Sequence, residues 1–423
     1  MKIHKLWLLT PLLLGLSGCG SDNNNNNNND SNTPQFSDRT LRDLETAVGE
    51  KYRELGVPGL LVGLWVPGVG EWTQSYGVSD LDTQAPMRFD QHVRIGSVTK
   101  TYTVTLILQL HDEGLLNIHD PVSKYFGTDP ASGKIVLENA IPNADRITLR
   151  HMANLTSGIA SYTADPDFQD RLFNNPQQQW QPLEMVNIGI ANTVAGCPFA
   201  PTACFEPGES WFYSNTNAVM LSLIVEHVTG KPYREVLHER ILAPLGLQET
   251  DQPVDNTIPE PFAQGYTFQG RDDNVLQNAT DWNPSWGFGV GDLTSDFEDL
   301  RIWGRAVGRG DLLKPETQAL RQEQVSVGGH QPGVRAYAVG IGYNQGWWGH
   351  GGELPGYNSM TFYRPDIDAV MVVIANSDEL EDGAHPAYFV GDVIIDIAAR
   401  ESPLLEDFDP DVPFINDPFS PED

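Results

Sequence analysis

The chain has 423 residues, 40% of them hydrophobic, and a formal net charge of −31. That length supports a large core, arranged as one two-lobed unit or as two domains. So acidic a surface repels phosphate backbones and anionic headgroups, which argues against a nucleic-acid partner and against charge-driven membrane binding; the acidity reads as solubility.

In chain order, "MKIHKLWLLTPLLLGLSGC" comes first: two lysines, an apolar stretch, then small residues before Cys19. Residues 1–18 read as a secretory signal, too short for a spanning helix. "LSGC" resembles the lipobox of bacterial lipoproteins, which implies a lipidated Cys19. Gly20 after it favours the outer membrane, in the periplasm of a Gram-negative cell. A plain secretory signal is the alternative. Residues 19–38 are low-complexity and asparagine-rich, a tether that cannot bury apolar area.

The globular pattern runs over 39–400. "TLRDLETAVGEKYRELG" has helical spacing and stops at Gly56. "GLLVGLWV" and "EWTQSYGV" read as two strands joined by "PGVG". A helix beginning near Ser97 carries Val98, Tyr102, Leu106 and Leu110 on or near one face. From about Pro121 to Pro315, helical stretches alternate with Pro- and Gly-rich loops. "NAVMLSLIVEHVTG" is one, ending at Gly230; "TSDFEDLRIWGRAV" is another, with Ser295 and Glu298 spaced as a capping box. Strands return in "YAVGIGYN", "YNSMTFYR" and "DAVMVVIAN", the last two flanking a "PDID" hairpin, and "PAYFVGDVIIDIAAR" is a helix. Residues 401–423 form an acidic tail. Strands at both ends with helices between them predict an α+β fold. One antiparallel sheet is built from both chain ends and flanked by helices, with a mostly helical middle lobe and a site at the seam.

Three cysteines occur. With Cys19 lipidated, Cys197 and Cys204 in "GCPFAPTAC" remain as a pair, and an exported protein sits where a bridge persists. No histidine lies near that pair, so it is not a zinc site.

The candidate chemistry rests on three short motifs. "RIGSVTK" places Ser97 three residues before Lys100, the only one of eight lysines so preceded by serine. At a strand-to-helix junction the two side chains project together, near free N–H groups that favour developing negative charge. A serine hydroxyl needs an adjacent base, and a lysine serves only when desolvation or nearby cations lower its pKa. "FYSNTN" offers Tyr213 as a proton relay and Asn215 as a donor to a substrate carbonyl. "GHGGELPG" offers His350, then Gly351 and Gly352, whose missing side chains let backbone approach a ligand at a strand edge. Each motif alone is a weak signal.

In this order and at these separations, "SVTK", "YSN" and "HGG" resemble the motifs of the serine β-lactamase and D-alanyl-D-alanine carboxypeptidase superfamily. Its class C β-lactamases, Streptomyces-type D,D-carboxypeptidases and related esterases are the most similar groups, and the resemblance spans about 39–400. It implies a β-lactamase/transpeptidase-like fold and a two-step acyl transfer. Ser97 would be the nucleophile. Lys100 would be its base or the electrostatic partner of Tyr213, and Tyr213 the proton shuttle. Asn215 would orient the substrate, and His350 would stand for the third-motif cation. The amides of Ser97 and Glu353 would form an oxyanion hole. Gly351, Gly352 and Glu353 would line the substrate. No metal, cofactor or obligate protein partner is implied; the substrate is a small molecule or a peptidoglycan fragment.

The departures bear on specificity. Class C enzymes usually carry lysine at the place of His350. The carboxypeptidases hold a terminal carboxylate with hydroxyl residues after the histidine and an arginine on the preceding strand. Here Gly351, Gly352 and Glu353 follow, and "YAVGIGYNQG" has no arginine. A carboxylate at Glu353 opposes an anionic substrate end. The reading is an exported serine hydrolase, D-alanyl-D-alanine carboxypeptidase-like and β-lactamase-related. A carboxylesterase of the same fold and a non-catalytic penicillin or peptidoglycan sensor are the alternatives. Trp347 and Trp348 are further candidates to line the pocket. No G-x-S-x-G or H-E-x-x-H motif supports another hydrolase class.

Overall fold

The computed structural model describes residues 35–191, 204–270, 275–331, 334–378 and 385–401. The expected signal, most of the expected linker, Cys19, Cys197 and the tail beyond residue 401 lie outside them.

Both chain ends build one sheet. Its eight strands run, edge to edge, Gly70–Gly77, Gly59–Val66, Ala369–Ala375, Tyr357–Arg364, Trp347–Leu354, Gly342–Asn344, Val334–Tyr337 and Val325–Gln331, and every neighbouring pair is antiparallel. The seam between the chain ends is the pairing of Leu60–Trp65 with Val370–Ala375. Those strands are buried along nearly their whole length, so they read as apolar runs rather than alternating ones.

Each face of the sheet has its own core. On one face lie the helices Asp38–Leu55 and Pro386–Glu401, with Leu44, Val48, Val390 and Ile394 packed on Leu60, Val62, Met371 and Val373. On the other lie Phe297–Arg309 and the helical lobe. Gly304 and Gly308 let Phe297–Arg309 press against the sheet, because a Cβ on either would strike Thr361 or Tyr363. At the centre of that lobe is the helix Thr99–Asp112. It is buried on nearly all sides, not on one face as its spacing suggested. Its threonines fit there because Thr101, Thr103 and Thr105 donate to the carbonyls of Val98, Gly289 and Thr101.

Two local expectations need correction. The cap of Phe297–Arg309 is Asp296, whose carboxylate accepts from the Asp299 amide at 2.8 Å, not Ser295. Ser295 instead pairs with Val93 in a short ladder and bonds Thr250 at 2.8 Å. "YAVGIGYN" is not one strand either: it turns at Gly340 (φ +76°), separating Val334–Tyr337 from Gly342–Asn344. Among the described residues no helix is long and apolar enough to cross a membrane.

Candidate active site

Ser97 lies in the single 3₁₀ turn Gly96–Val98, between the short strand Val93–Arg94 and the helix Thr99–Asp112. Buried Arg94 anchors that junction by donating to the carbonyls of Asn256, Thr280 and Trp282 at 2.8, 3.2 and 3.1 Å. Gly96 is left-handed (φ +51°), and a Cβ there would collide with the backbone of Glu353. The nucleophile turn therefore packs directly on the strand Trp347–Leu354. That strand pairs with Gly342–Asn344 through Trp347–Gly349, so from His350 onward its other edge has no strand neighbour among the described residues.

Lys100 Nζ is 2.6 Å from Ser97 Oγ and donates to the Val290 carbonyl at 3.3 Å. Lys100 is 2% exposed, and burial holds its pKa well below the usual lysine value; the charge of Glu353 opposes that shift. Ser97 itself is half-buried, open to a substrate.

Tyr213 brings its ring to 4.8 Å from Lys100 Nζ. It lies in the loop before the helix Asn215–Thr229. Burial pushes its phenol well above the ordinary value, while hydrogen bonding to Ser97 pulls it back. Burial thus disfavours the charged form of both groups, the phenolate of Tyr213 and the ammonium of Lys100.

Asn215 begins that helix. Its Nδ2 donates to Thr163 Oγ1 at 3.0 Å, and its Oδ1 is buried without a partner. The Thr163 hydroxyl can donate as well as accept. Turning the amide over therefore satisfies Oδ1 and frees Nδ2 to face a substrate carbonyl.

His350 closes the group at 6.2 Å, ring to ring, from Tyr213. It does not supply the third-motif cation. It is 5% exposed, and burial followed by the Lys100 charge pushes its pKa down to about 3. Its Nδ1 contacts the Gly351 carbonyl, which fixes the proton there, so Nε2 accepts from the Tyr337 hydroxyl at 3.0 Å.

Gly351 and Gly352 are small for steric reasons: side chains there would strike Tyr388 and the Ile95 carbonyl. Glu353 is 38% exposed, with Oε1 accepting from Gln269 at 2.9 Å and Oε2 facing His385 Nδ1 at 3.4 Å. Gln269 also donates to Asp378 at 2.7 Å.

The motif residues thus converge from three separate parts of the chain. Trp347 and Trp348 do not line the pocket: Trp347 is in the core beneath the helix Pro386–Glu401, and Trp348 packs on Tyr343 at 4.7 Å. Cys204 is disulfide-bonded, while its expected partner Cys197 lies outside the described residues. Sequence reasoning missed Tyr337, Val290, Gln269 and His385, which reach the site through backbone or single contacts that no spacing announces. Among the described residues no cluster of histidine, cysteine and carboxylate could hold a metal ion.

The chain is 24% identical over 366 residues to Penicillin-binding protein 4* of Bacillus subtilis, covering 82% of this chain and 73% of that protein. It is 25% identical over 345 residues to Protein flp of Staphylococcus aureus, spanning 64% of that protein, less than two thirds of its length. Among solved structures, a D-stereospecific amidohydrolase from Streptomyces sp. superimposes with a TM-score of 0.69 at 29% identity, over 84% of this chain and 96% of that one. A family model described as Beta-lactamase matches residues 41–394, most of the chain. The chain therefore belongs to the beta-lactamase family and is a serine hydrolase of that fold.

Proposed function

We propose that this protein is an exported, lipid-anchored serine amidase that cleaves amides of D-configured amino acids through an acyl-enzyme on Ser97. The observation that carries the reading is the 2.6 Å contact between Ser97 Oγ and a buried lysine amine. The free-base amine of Lys100 takes the Ser97 proton as Oγ attacks the carbonyl. The oxyanion is held by the amides of Ser97 and Glu353, which the packing of Gly96 on Glu353 brings together. Tyr213, a neutral phenol, gives its proton to the leaving nitrogen and recovers one through Lys100. Water then hydrolyses the ester in the reverse sense. Asn215 orients the acyl part. His350, uncharged and fixed by Tyr337, holds the strand edge and does not pair with an anion. Support for D-amides comes from the likeness to the D-stereospecific amidohydrolase of Streptomyces sp..

A carboxylesterase is the second reading, favoured by the Glu353 carboxylate standing where a peptide's terminal carboxylate would approach. Both are tested with D-alanine p-nitroanilide and p-nitrophenyl acetate, followed by intact-mass detection of the acyl-enzyme. Ser97→Ala is expected to lose turnover and labelling together; retained turnover overturns the mechanism. Turnover of the ester alone selects the second reading. The anchor rests on "LSGC", and Cys19→Ser is expected to release the protein from the membrane fraction.

A further inference from the structure

The residues around Ser97 form two rims of different chemistry. On one, Asn215, Thr163 and Ser161 are neutral hydrogen-bonding groups, with Ser161 and Thr163 hydroxyls 2.8 Å apart and the Asn215 amide N–H on Ser161. On the other, Glu353 stands at the end of the strand Trp347–Leu354, flanked by Gln269, His385 and Tyr388. Glu353 is two residues beyond Gly351 and so shares its face, the one where a Gly351 side chain would meet Tyr388. Its backbone touches the nucleophile turn, and its charge is felt at Lys100 and Tyr213.

This inference rests on the proposed mechanism for one step, the assignment of Asn215 to the acyl part and Tyr213 to the leaving nitrogen. The leaving part then extends from Tyr213 toward the Glu353 rim. Gln269 and His385 each engage one oxygen of Glu353 and so fix the carboxylate plane. A carboxylate has about four acceptor positions, so acceptor capacity remains on its exposed side. A partly buried carboxylate attracts a cation and repels an anion more strongly than one in bulk water. We propose that Glu353 is the specificity-determining residue of the leaving-group subsite, selecting amides whose amine part carries a positive charge and rejecting those that end in a free carboxylate. The substrate class is then an amide with a basic amine part, not a peptide with an open C-terminus.

The test uses the full protein carrying Ser97→Ala, so that binding is read without turnover. Three ligands share an N-acetyl-D-alanyl part and differ in the leaving part: 2-aminoethylamide (cationic), propylamide (neutral) and glycine (anionic). Calorimetry is expected to give about tenfold tighter binding of the cation than of the anion, with the neutral ligand between. Adding Glu353→Gln is expected to bring all three within about twofold. If that variant fails to fold, the selectivity of the Ser97→Ala protein is expected to shrink between low and high salt, as screening requires. Equal binding, a preference for the anion, or an order unchanged by Glu353→Gln and by salt overturns the proposal. So does an equal Glu353-dependent preference for D-alaninamide over N-acetyl-D-alaninamide, which would place the charge on the acyl side. Failure of the catalytic reading appears elsewhere, as turnover that survives Ser97→Ala, and leaves the binding order as a separate result.

Discussion

The two ends of the site differ in one physical respect. At the sealed end, Lys100 and His350 are buried and Tyr213 is partly buried, and burial pushes each toward its neutral form: lysine down, phenol up, imidazole down. At the open end, Glu353 keeps a partly exposed carboxylate held by Gln269 and His385. The same strand, Trp347–Leu354, carries His350 at its middle and Glu353 near its end, three residues apart on opposite faces. Reactivity here comes from removing water from a base, whereas selection comes from leaving a charge in contact with it.

If burial of the base is what drives the reaction, Lys100→Met separates activity from stability. Turnover of D-alanine p-nitroanilide is expected to fall about 10³-fold, since the neutral phenol of Tyr213, hydrogen-bonded to Ser97, is a far weaker base than the lysine amine. Because the folded-state pKa of Lys100 is depressed, its burial costs stability below the unfolded lysine pKa. Methionine relieves that cost, and urea unfolding at pH 7 is expected to show a gain of about 1 kcal/mol. A loss of stability would mean that the lysine anchors the fold through Ser97 and Val290, and the contrast between the two ends would fail.

Tyr337→Phe asks whether the neutral histidine matters at the sealed end. It removes the donor to His350 Nε2 and leaves a buried acceptor unpaired, which costs about 1 kcal/mol. kcat/KM is expected to fall about tenfold through loosening of the strand edge. Its acid limb should stay put, because His350 is already uncharged above about pH 3. An acid limb that moves between pH 5 and 7 would make His350 a titrating catalyst and overturn its role as a fixed wall.

How much of this was legible follows the same contrast. The sheet built from both ends could be read from apolar runs near each terminus, and the motifs gave Ser97, Lys100, Tyr213, Asn215 and His350 by residue type. What could not be read depends on the rest of the fold. "TSDFED" contains two overlapping caps, Ser295 with Glu298 and Asp296 with Asp299. Asp296 takes the role because Ser295 is drawn into pairing with Val93. "YAVGIGYN" looks like a strand until Gly340 turns it. The helix after Ser97 looks one-faced because its threonines count as polar, yet Thr101, Thr103 and Thr105 each donate to a carbonyl. The charge state of His350 depends on burial that no local pattern encodes.

The smallest expected effect on turnover, and a fine test of what sealing means, comes from Asp292. It lies at the end of the turn whose Val290 carbonyl meets Lys100, with Oδ1 accepting from the Gly289 amide at 3.0 Å and Oδ2 from Gln252 at 2.7 Å. Burial nonetheless pushes its pKa up to about 7, against the opposing pull of those bonds and of Arg94. The folded protein thus retains a proton that the unfolded chain releases near pH 3.8. Its stabilising contribution is complete below that pH and is lost as pH rises through about 7. In Asp292→Asn, Gln252 can turn its own amide oxygen toward the new NH₂, so both contacts survive. Unfolding free energy measured from pH 5 to 8 is expected to decline less in the variant than in the parent, by at most about 3 kcal/mol, with turnover at pH 8 within about twofold. Parallel pH dependences would show that water reaches Asp292, and that the floor of the site is less dry than its lysine requires.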